Sequence, residues 1–302
     1  MQRLSFFKNE TKYTMKNLIF LPIFFFVTVS SLAQSSTEVY LFDLTETEKG
    51  LSVSNPVNIS NNEGYDNQPS FTEDGKSVLF SSTRNGQTDI VWYDIETGTK
   101  KWISDTPGGE YSPVLMPDGK YISAVRLDPD GLQLLYKYSI EDGSSDVLIH
   151  ELKIGYYAWF LRPKLIAFVL GEPATLQEID LNTGEATIMY QNPGRSIHYI
   201  PGSKKYSFID KSNSDDWKIM QAVSGNAKWT TKITSTLEKS EDMVWINMHT
   251  IIMGKDDQLY FFDTRRQAKG WQLFADFSIY KLTGITRLAF NSGKLAVVVD
   301  GK

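Results

Sequence analysis

An all-β fold of six repeated four-stranded units is what this sequence predicts, and three observations predict it. One phrase is written twice: Gln68-Pro69-Ser70-Phe71-Thr72-Glu73-Asp74-Gly75-Lys76 returns as Ser112-Pro113-Val114-Leu115-Met116-Pro117-Asp118-Gly119-Lys120, 44 residues on. Lys76, Lys120, Lys164, Lys204 or Lys205, Thr250 and Lys294 mark the same place after a hairpin turn, so a period of 40 to 46 residues runs the length of the chain. After each mark comes an alternating or apolar run suited to a half-buried strand, over 77–81, 121–125, 165–169, 206–209, 251–253 and 295–299. A fixed period in that range, with about four short strands per unit, is the signature of a β-propeller blade.

Taken in order, the chain begins with a short apolar run over 18–29 behind Lys16, and Ser31-Leu32-Ala33 sets small residues at −3 and −1 before Gln34. That pattern is a secretory signal peptide over 1–33, and Met15 is an alternative start. The run is short for a membrane span, so an uncleaved anchor is the weaker alternative. Mass measurement of the exported protein should find Gln34 first; a mature form that keeps 18–29 would overturn the assignment. Cleavage takes the net charge from −5 to −8 and leaves a single domain over 34–302.

The chain has no cysteine, which excludes disulfides, zinc–thiolate sites, a cysteine nucleophile and a lipid-anchored lipoprotein. The acidic balance and the lack of a basic block argue against nucleic acid as a partner.

Third strands follow over 90–94, 134–138, 176–180, 217–222 and 259–263, punctuated by turns such as Asn85-Gly86, Asp130-Gly131 and Asn182-Thr183-Gly184. The sixth unit has only two strands, over 286–290 and 294–300. Residues 38–44 read like 89–94, and 56–60 read like 101–104, so the N-terminal strands are expected to complete the C-terminal blade. Closing the ring in this way leaves no large unpaired edges.

Ser70-Phe71-Thr72-Glu73-Asp74-Gly75-Lys76, followed by Leu79-Phe80-Ser81-Ser82-Thr83-Arg84-Asn85-Gly86 and Asp89-Ile90, resembles the TolB-type (WD40-like) propeller repeat. The match is strong in the first two units and weaker from 155 onward. The resemblance implies a six-bladed propeller in which the Asp-Gly pairs, Asp74-Gly75 and Asp118-Gly119, turn hairpins and the aromatics pack between blades. TolB proper also carries an N-terminal α/β domain, which this sequence is expected to lack, so a role in the Tol–Pal envelope system does not carry over.

The common catalytic patterns are missing. Gly194-Arg195-Ser196-Ile197-His198 is one residue from a G-x-S-x-G elbow, but it enters a strand rather than a strand–turn–helix. Asp128-Pro129-Asp130-Gly131 reads as a hairpin turn rather than a calcium loop. His150, His198 and His249 fall at different phases of the repeat, which disfavours a three-histidine metal site.

What remains is a set of non-repeating polar and aromatic groups just before the innermost strands: Tyr65-Asp66-Asn67-Gln68, Glu110-Tyr111, Tyr156-Tyr157, Arg195 through His198, Glu241-Asp242 and Thr286-Arg287. Loops entering the inner strands of a propeller converge at one channel mouth. The expected ligand-binding residues are therefore Asp66, Asn67, Gln68, Glu110, Tyr111, Tyr156, Tyr157, Arg195, His198, Glu241, Asp242 and Arg287. Two functions follow. One is a secreted or periplasmic binding module for a peptide, a glycan, a small molecule or an envelope protein, soluble and monomeric. The other is a small hydrolase or lyase, similar at fold level to propeller lactonases and oligouronide lyases. No motif implies a cofactor; for the enzyme, Asp66, Asn67, Glu110, His198, Glu241 and Asp242 supply ligands for a divalent metal in the channel.

Overall fold

Residues 36–48, 50–160 and 163–301 are described in a computed structural model of the chain. The signal-peptide assignment lies outside them. The described chain is a run of antiparallel meanders. β1 (Thr37–Thr47) and β2 (Gly50–Asn58) come first. The first meander is β3 (Asp66–Phe71), β4 (Ser77–Arg84), β5 (Gln87–Asp94) and β6 (Lys100–Trp102). The second is β7 (Gly109–Leu115), β8 (Tyr121–Leu127), β9 (Gln133–Ser139) and β10 (Ser145–Ile149). The third is β11 (Ile154–Trp159), β12 (Lys164–Val169), β13 (Thr175–Asp180) and β14 (Ala186–Gln191). The fourth is β15 (Pro193–Tyr199), β16 (Lys205–Asp210), β17 (Lys218–Val223) and β18 (Asn226–Ser235). The fifth is β19 (Met243–Trp245), β20 (Thr250–Lys255), β21 (Gln258–Asp263) and β22 (Gln272–Asp276), and the chain ends with β23 (Arg287–Asn291) and β24 (Lys294–Asp300).

The last sheet has the order β2-β1-β24-β23, so both ends of the chain build it. Val39 stands opposite Val298 and Phe42 opposite Leu295, which is the closure read from the sequence. The first and second meanders are counted as one eight-stranded sheet only through a single parallel bridge, Thr88 to Gly109. Pairing thus resolves into six four-stranded meanders. The innermost strands β23, β3 and β7 adjoin in turn, as do β11, β15, β19 and β23, while β11 meets β8 and β9 of the second meander. The architecture is a β-propeller.

Its core is distributed between sheets. Six buried apolar clusters lie one at each seam between consecutive meanders. Alternation along a strand sends successive side chains to opposite neighbours. In β4, Val78 and Phe80 pack on the closing sheet, and Leu79 between them packs on the second meander. Strands buried on both faces need near-continuous apolar runs, which explains the second strands seen in the sequence.

The Asp-Gly turns behave as the sequence predicts. Gly75 and Gly119 take left-handed φ of 70° and 68°, where a side chain would be strained. Asp74 and Asp118 accept the backbone N–H of Lys76 (3.0 Å) and Lys120 (2.9 Å). Asp130 accepts that of Leu132 at 3.0 Å, so 128–131 is also a turn. At the seam where the ring closes, Asn291 Nδ2 donates to the Thr72 carbonyl at 2.8 Å.

Candidate functional site

A channel of about 380 Å³ runs along the axis and is lined by all six innermost strands or the residues just before them. At one mouth each meander contributes one group: Gln68, Ser112, Tyr156, Arg195, Asp242 and Arg287. Irregular backbone aims several of them. The inner strands slip register between Asn67 and Ser70 and between Tyr111 and Val114, and Gln68 and Ser112 take φ of 57° and 53°. Such bulges redirect a side chain without ending a strand. Gln68 Oε1 then accepts the Ser112 N–H at 2.7 Å, which stitches the first meander to the second.

The charges gather on one side of this mouth. Asp242 sits between two arginines: it accepts from Arg195 Nε at 3.0 Å and through Arg195 Nη2, and from Arg287 Nη1 at 2.9 Å. The Arg287 guanidinium lies over the Tyr156 ring at 5.1 Å. Glu241 Oε1 accepts the Arg195 backbone N–H at 2.7 Å, and its Oε2 is 3.3 Å from Lys211 Nζ. Gly194 makes that approach possible, because a Cβ there would stand 2.8 Å from both Glu241 Oε1 and Ile209 Cβ. Two guanidinium groups present ten N–H donors, more than a single carboxylate can accept, and with Asp242 they carry a net positive charge. Burial pushes the Tyr65 phenol up, against the pull of Arg287 and Arg195, so Tyr65 stays a neutral donor beside them.

His198 lies deeper in the channel. Burial, the largest influence, pulls its imidazole down to about 4 against the opposing charge of Asp242. It is therefore neutral at neutral pH, with Nε2 2.9 Å from Ser196 Oγ, which also accepts the Met243 N–H at 3.0 Å. His150 and His249 are not among the channel-lining residues.

The structure thus brings Gln68, Tyr156, Arg195, Glu241, Asp242 and Arg287 together, with His198 below them. Tyr157 also lines the channel, but it is buried against the seam between the second and third meanders, its hydroxyl 3.0 Å from the Ser112 carbonyl and 2.8 Å from Ser123 Oγ. Others of the expected set lie elsewhere. Tyr111 packs edge-on to Tyr65, with ring centroids 6.2 Å apart. Asn67 is buried and donates to Thr37 Oγ1 at 3.3 Å.

Asp66 and Glu110 are both fully buried, and neither lines the channel. Each belongs to a repeated seam device. In the first, Ser60 Oγ accepts the Val39 N–H and donates to Glu38 at 2.6 Å, near Asp66. In the second, 44 residues on, Ser104 Oγ accepts the Ile90 N–H and lies 3.1 Å from Asp89 and 2.9 Å from Glu110. One hydroxyl proton serves one carboxylate at a time. Arg84 neutralises Asp89 at 2.7 Å, so Glu110 is the member left to hold its own proton. Burial, with Asp89 adding to it, pushes Glu110 up to about 7, against hydrogen bonds from Thr106, Ser104 and Tyr138. Burial likewise pushes Asp66 up to about 6. The placement of Glu110 at the mouth is corrected on this ground: a fully buried carboxyl held by the Ser104, Thr106 and Tyr138 hydroxyls beside Asp89 is a seam group, and replacing it is not a surface substitution.

Lys211 and Trp217 were not singled out from the sequence. They lie on the hairpin between second and third strands of the fourth meander, which reaches the same mouth as the inner-strand loops. Lys211 Nζ sits over the Trp217 ring at 4.1 Å. Attention to loops entering inner strands alone could not find them.

The fold and the mouth together define a β-propeller with a charged, aromatic-lined channel entrance. Similar solved structures are TolB-type propellers. A TolB protein from Agrobacterium tumefaciens matches with a TM-score of 0.68 at 12% identity, over 89% of this chain and 99% of that one. TolB from Acinetobacter baumannii matches at 0.58 and 13%, over 88% of this chain; the match spans 64% of that protein's length. An oligogalacturonate lyase solved with manganese matches at 0.51 and 16%, over 86% of this chain and 77% of that one. At these identities the likeness shows the fold. No protein-family model matches the sequence, and no curated protein matches it.

Proposed function

We propose that the chain is an exported, periplasmic or extracellular binding module that takes a carboxylate-bearing ligand at the channel mouth. The observation that carries this is the Arg195–Asp242–Arg287 cluster, built from three different meanders around Tyr156. Planar guanidinium forks match carboxylate geometry, and the ring beside them suits the flat body of a ligand. Among the described residues no helix is long and apolar enough to cross a membrane.

The enzyme alternative draws on the fold-level likeness to the lyase. Its metal would need several carboxylate or imidazole ligands to converge. Here Asp242 is held by two arginines, Glu241 by Lys211 and a backbone N–H, and His198 is paired with Ser196. Among the described residues no group of three or more such side chains is placed to hold a metal ion. This donor set does not fit the metal, and the binding function is preferred.

Calorimetry with monomeric uronic acids, sialic acid and short acidic peptides tests the proposal. Loss of charge-assisted hydrogen bonds worth about 1.5–3 kcal/mol predicts roughly ten- to a hundredfold weaker binding for Arg195→Ala. Arg195→Lys, which keeps the charge and loses the fork, is expected to fall between. If a bound acid keeps its affinity in both variants, and their melting curves show them folded, the site is refuted.

A further inference from the structure

Arg195 lines not only the channel but two further cavities on the same face. One, of about 430 Å³, lies toward the fifth meander, with Trp217, Ser240, Lys255 and Asp256 in its wall. The other, of about 370 Å³, lies toward the third, with Phe168, Asn192 and Lys211. Each of the three spaces is at the small end for a ligand pocket. They meet at one arginine, so units linked in series would fill them, whereas a single compact molecule fills one.

We propose that the ligand is an acidic oligosaccharide laid across the channel mouth, with a carboxylated sugar on Arg195 and Arg287 and its neighbours in the two flanking cavities. This rests on the carboxylate site proposed above. The chemistry of the walls selects sugars. Each space has an aromatic side chain, Phe168, Tyr156 or Trp217, set among charged and amide groups. A sugar ring offers an apolar C–H face to an aromatic and a rim of hydroxyls to carboxylates, ammoniums and amides. A peptide anchors through apolar side chains, and the larger flanking cavity offers them little: seven of its thirteen lining residues are charged. The charges of both flanking cavities include opposed pairs, Lys255 with Glu238 at 3.6 Å in the larger and Lys211 with Glu241 at 3.3 Å in the smaller. Paired charges suit neutral hydroxyls, which both donate and accept, and the arginine-rich centre suits the acid.

The test is calorimetry on the whole chain with galacturonic acid and its dimer and trimer, beside tri-aspartate. The trimer is expected to bind at least about tenfold more tightly than the monomer. Ser240→Trp, which fills the larger flanking cavity, and Trp217→Ala, which removes its aromatic wall, are each expected to bring the trimer-to-monomer ratio close to one. Because Trp217 also packs on the core, Ser240→Trp keeps the test decisive if Trp217→Ala fails to fold. A ratio near one in the unaltered protein, a ratio that Ser240→Trp leaves intact, or tri-aspartate binding as tightly as the trimer would each overturn the oligosaccharide. Monomer binding that depends on Arg195 but shows no gain with length refutes the oligosaccharide alone. No binding of any of these acids refutes the carboxylate site along with it.

Discussion

A chain lacking residues 36–60 is expected to lose its cooperative unfolding transition and to aggregate. β1 is paired on both sides, with β2 and with β24, so its removal strips β24 of a ladder and exposes an edge. It also empties two seams. Phe42 and Leu44 belong to the cluster shared with the fifth meander, and Val39, Leu41 and Ile59 to the one shared with the first. Each such side chain contributes roughly 1.5–3 kcal/mol when buried, so five together approach the whole stability of an ordinary domain, about 5–15 kcal/mol. Denaturant melts with light scattering measure this, and a peptide of residues 36–60 added in trans should restore part of the transition. A truncated chain that melts like the intact one would refute the shared closing sheet.

Glu110→Gln is expected to be less stable than, or equal to, the parent at pH 5 and more stable at pH 8. Burial raises the folded-state value of Glu110 from 4.5 to about 7, so the folded protein holds a proton that the unfolded chain releases. Its contribution is therefore full below pH 4.5 and is lost as pH rises through about 7. The displacement corresponds to on the order of 3 kcal/mol. Glutamine mimics the protonated acid and removes that loss. Asp66, pushed up to about 6, acts in the same direction, whereas His198, pulled down to about 4, loses stability as pH falls. The difference between variant and parent isolates Glu110 from both. Denaturant titrations at the two pH values read it directly, and a difference independent of pH would show that Glu110 is ionised in the folded protein. Glu110→Ala is expected to be destabilised by about 1–3 kcal/mol, because Ser104, Thr106 and Tyr138 lose an acceptor.

Particular residues show how far one dimension carries. The 44-residue echo of Gln68 through Lys76 in Ser112 through Lys120 was enough to predict strands, turns and closure, because hairpin chemistry and strand alternation are local properties. Gly75 and Gly119 had to turn left-handed, and residues 38–44 had to find a partner for an incomplete last unit. The mouth was legible in part for the same reason: a residue's phase in the repeat says which end of the strand it occupies, and Gln68, Tyr156, Arg195, Asp242 and Arg287, chosen by that phase, all line the channel.

Phase does not say which way a side chain turns. Asp66 and Glu110 have the mouth's phase, yet both are buried in the seams, where Ser104, just after the preceding strand, lies between Asp89 and Glu110. Arg195, Asp242 and Arg287 come from meanders 45 to 92 residues apart, and nothing local distinguishes an arginine that faces water from one that shares a carboxylate with another. The sequence by itself determined the β-propeller, its turns and its closing strands, because each depends on neighbours along the chain. Only the tertiary structure decided which polar groups meet, because burial and charge pairing depend on neighbours across the ring.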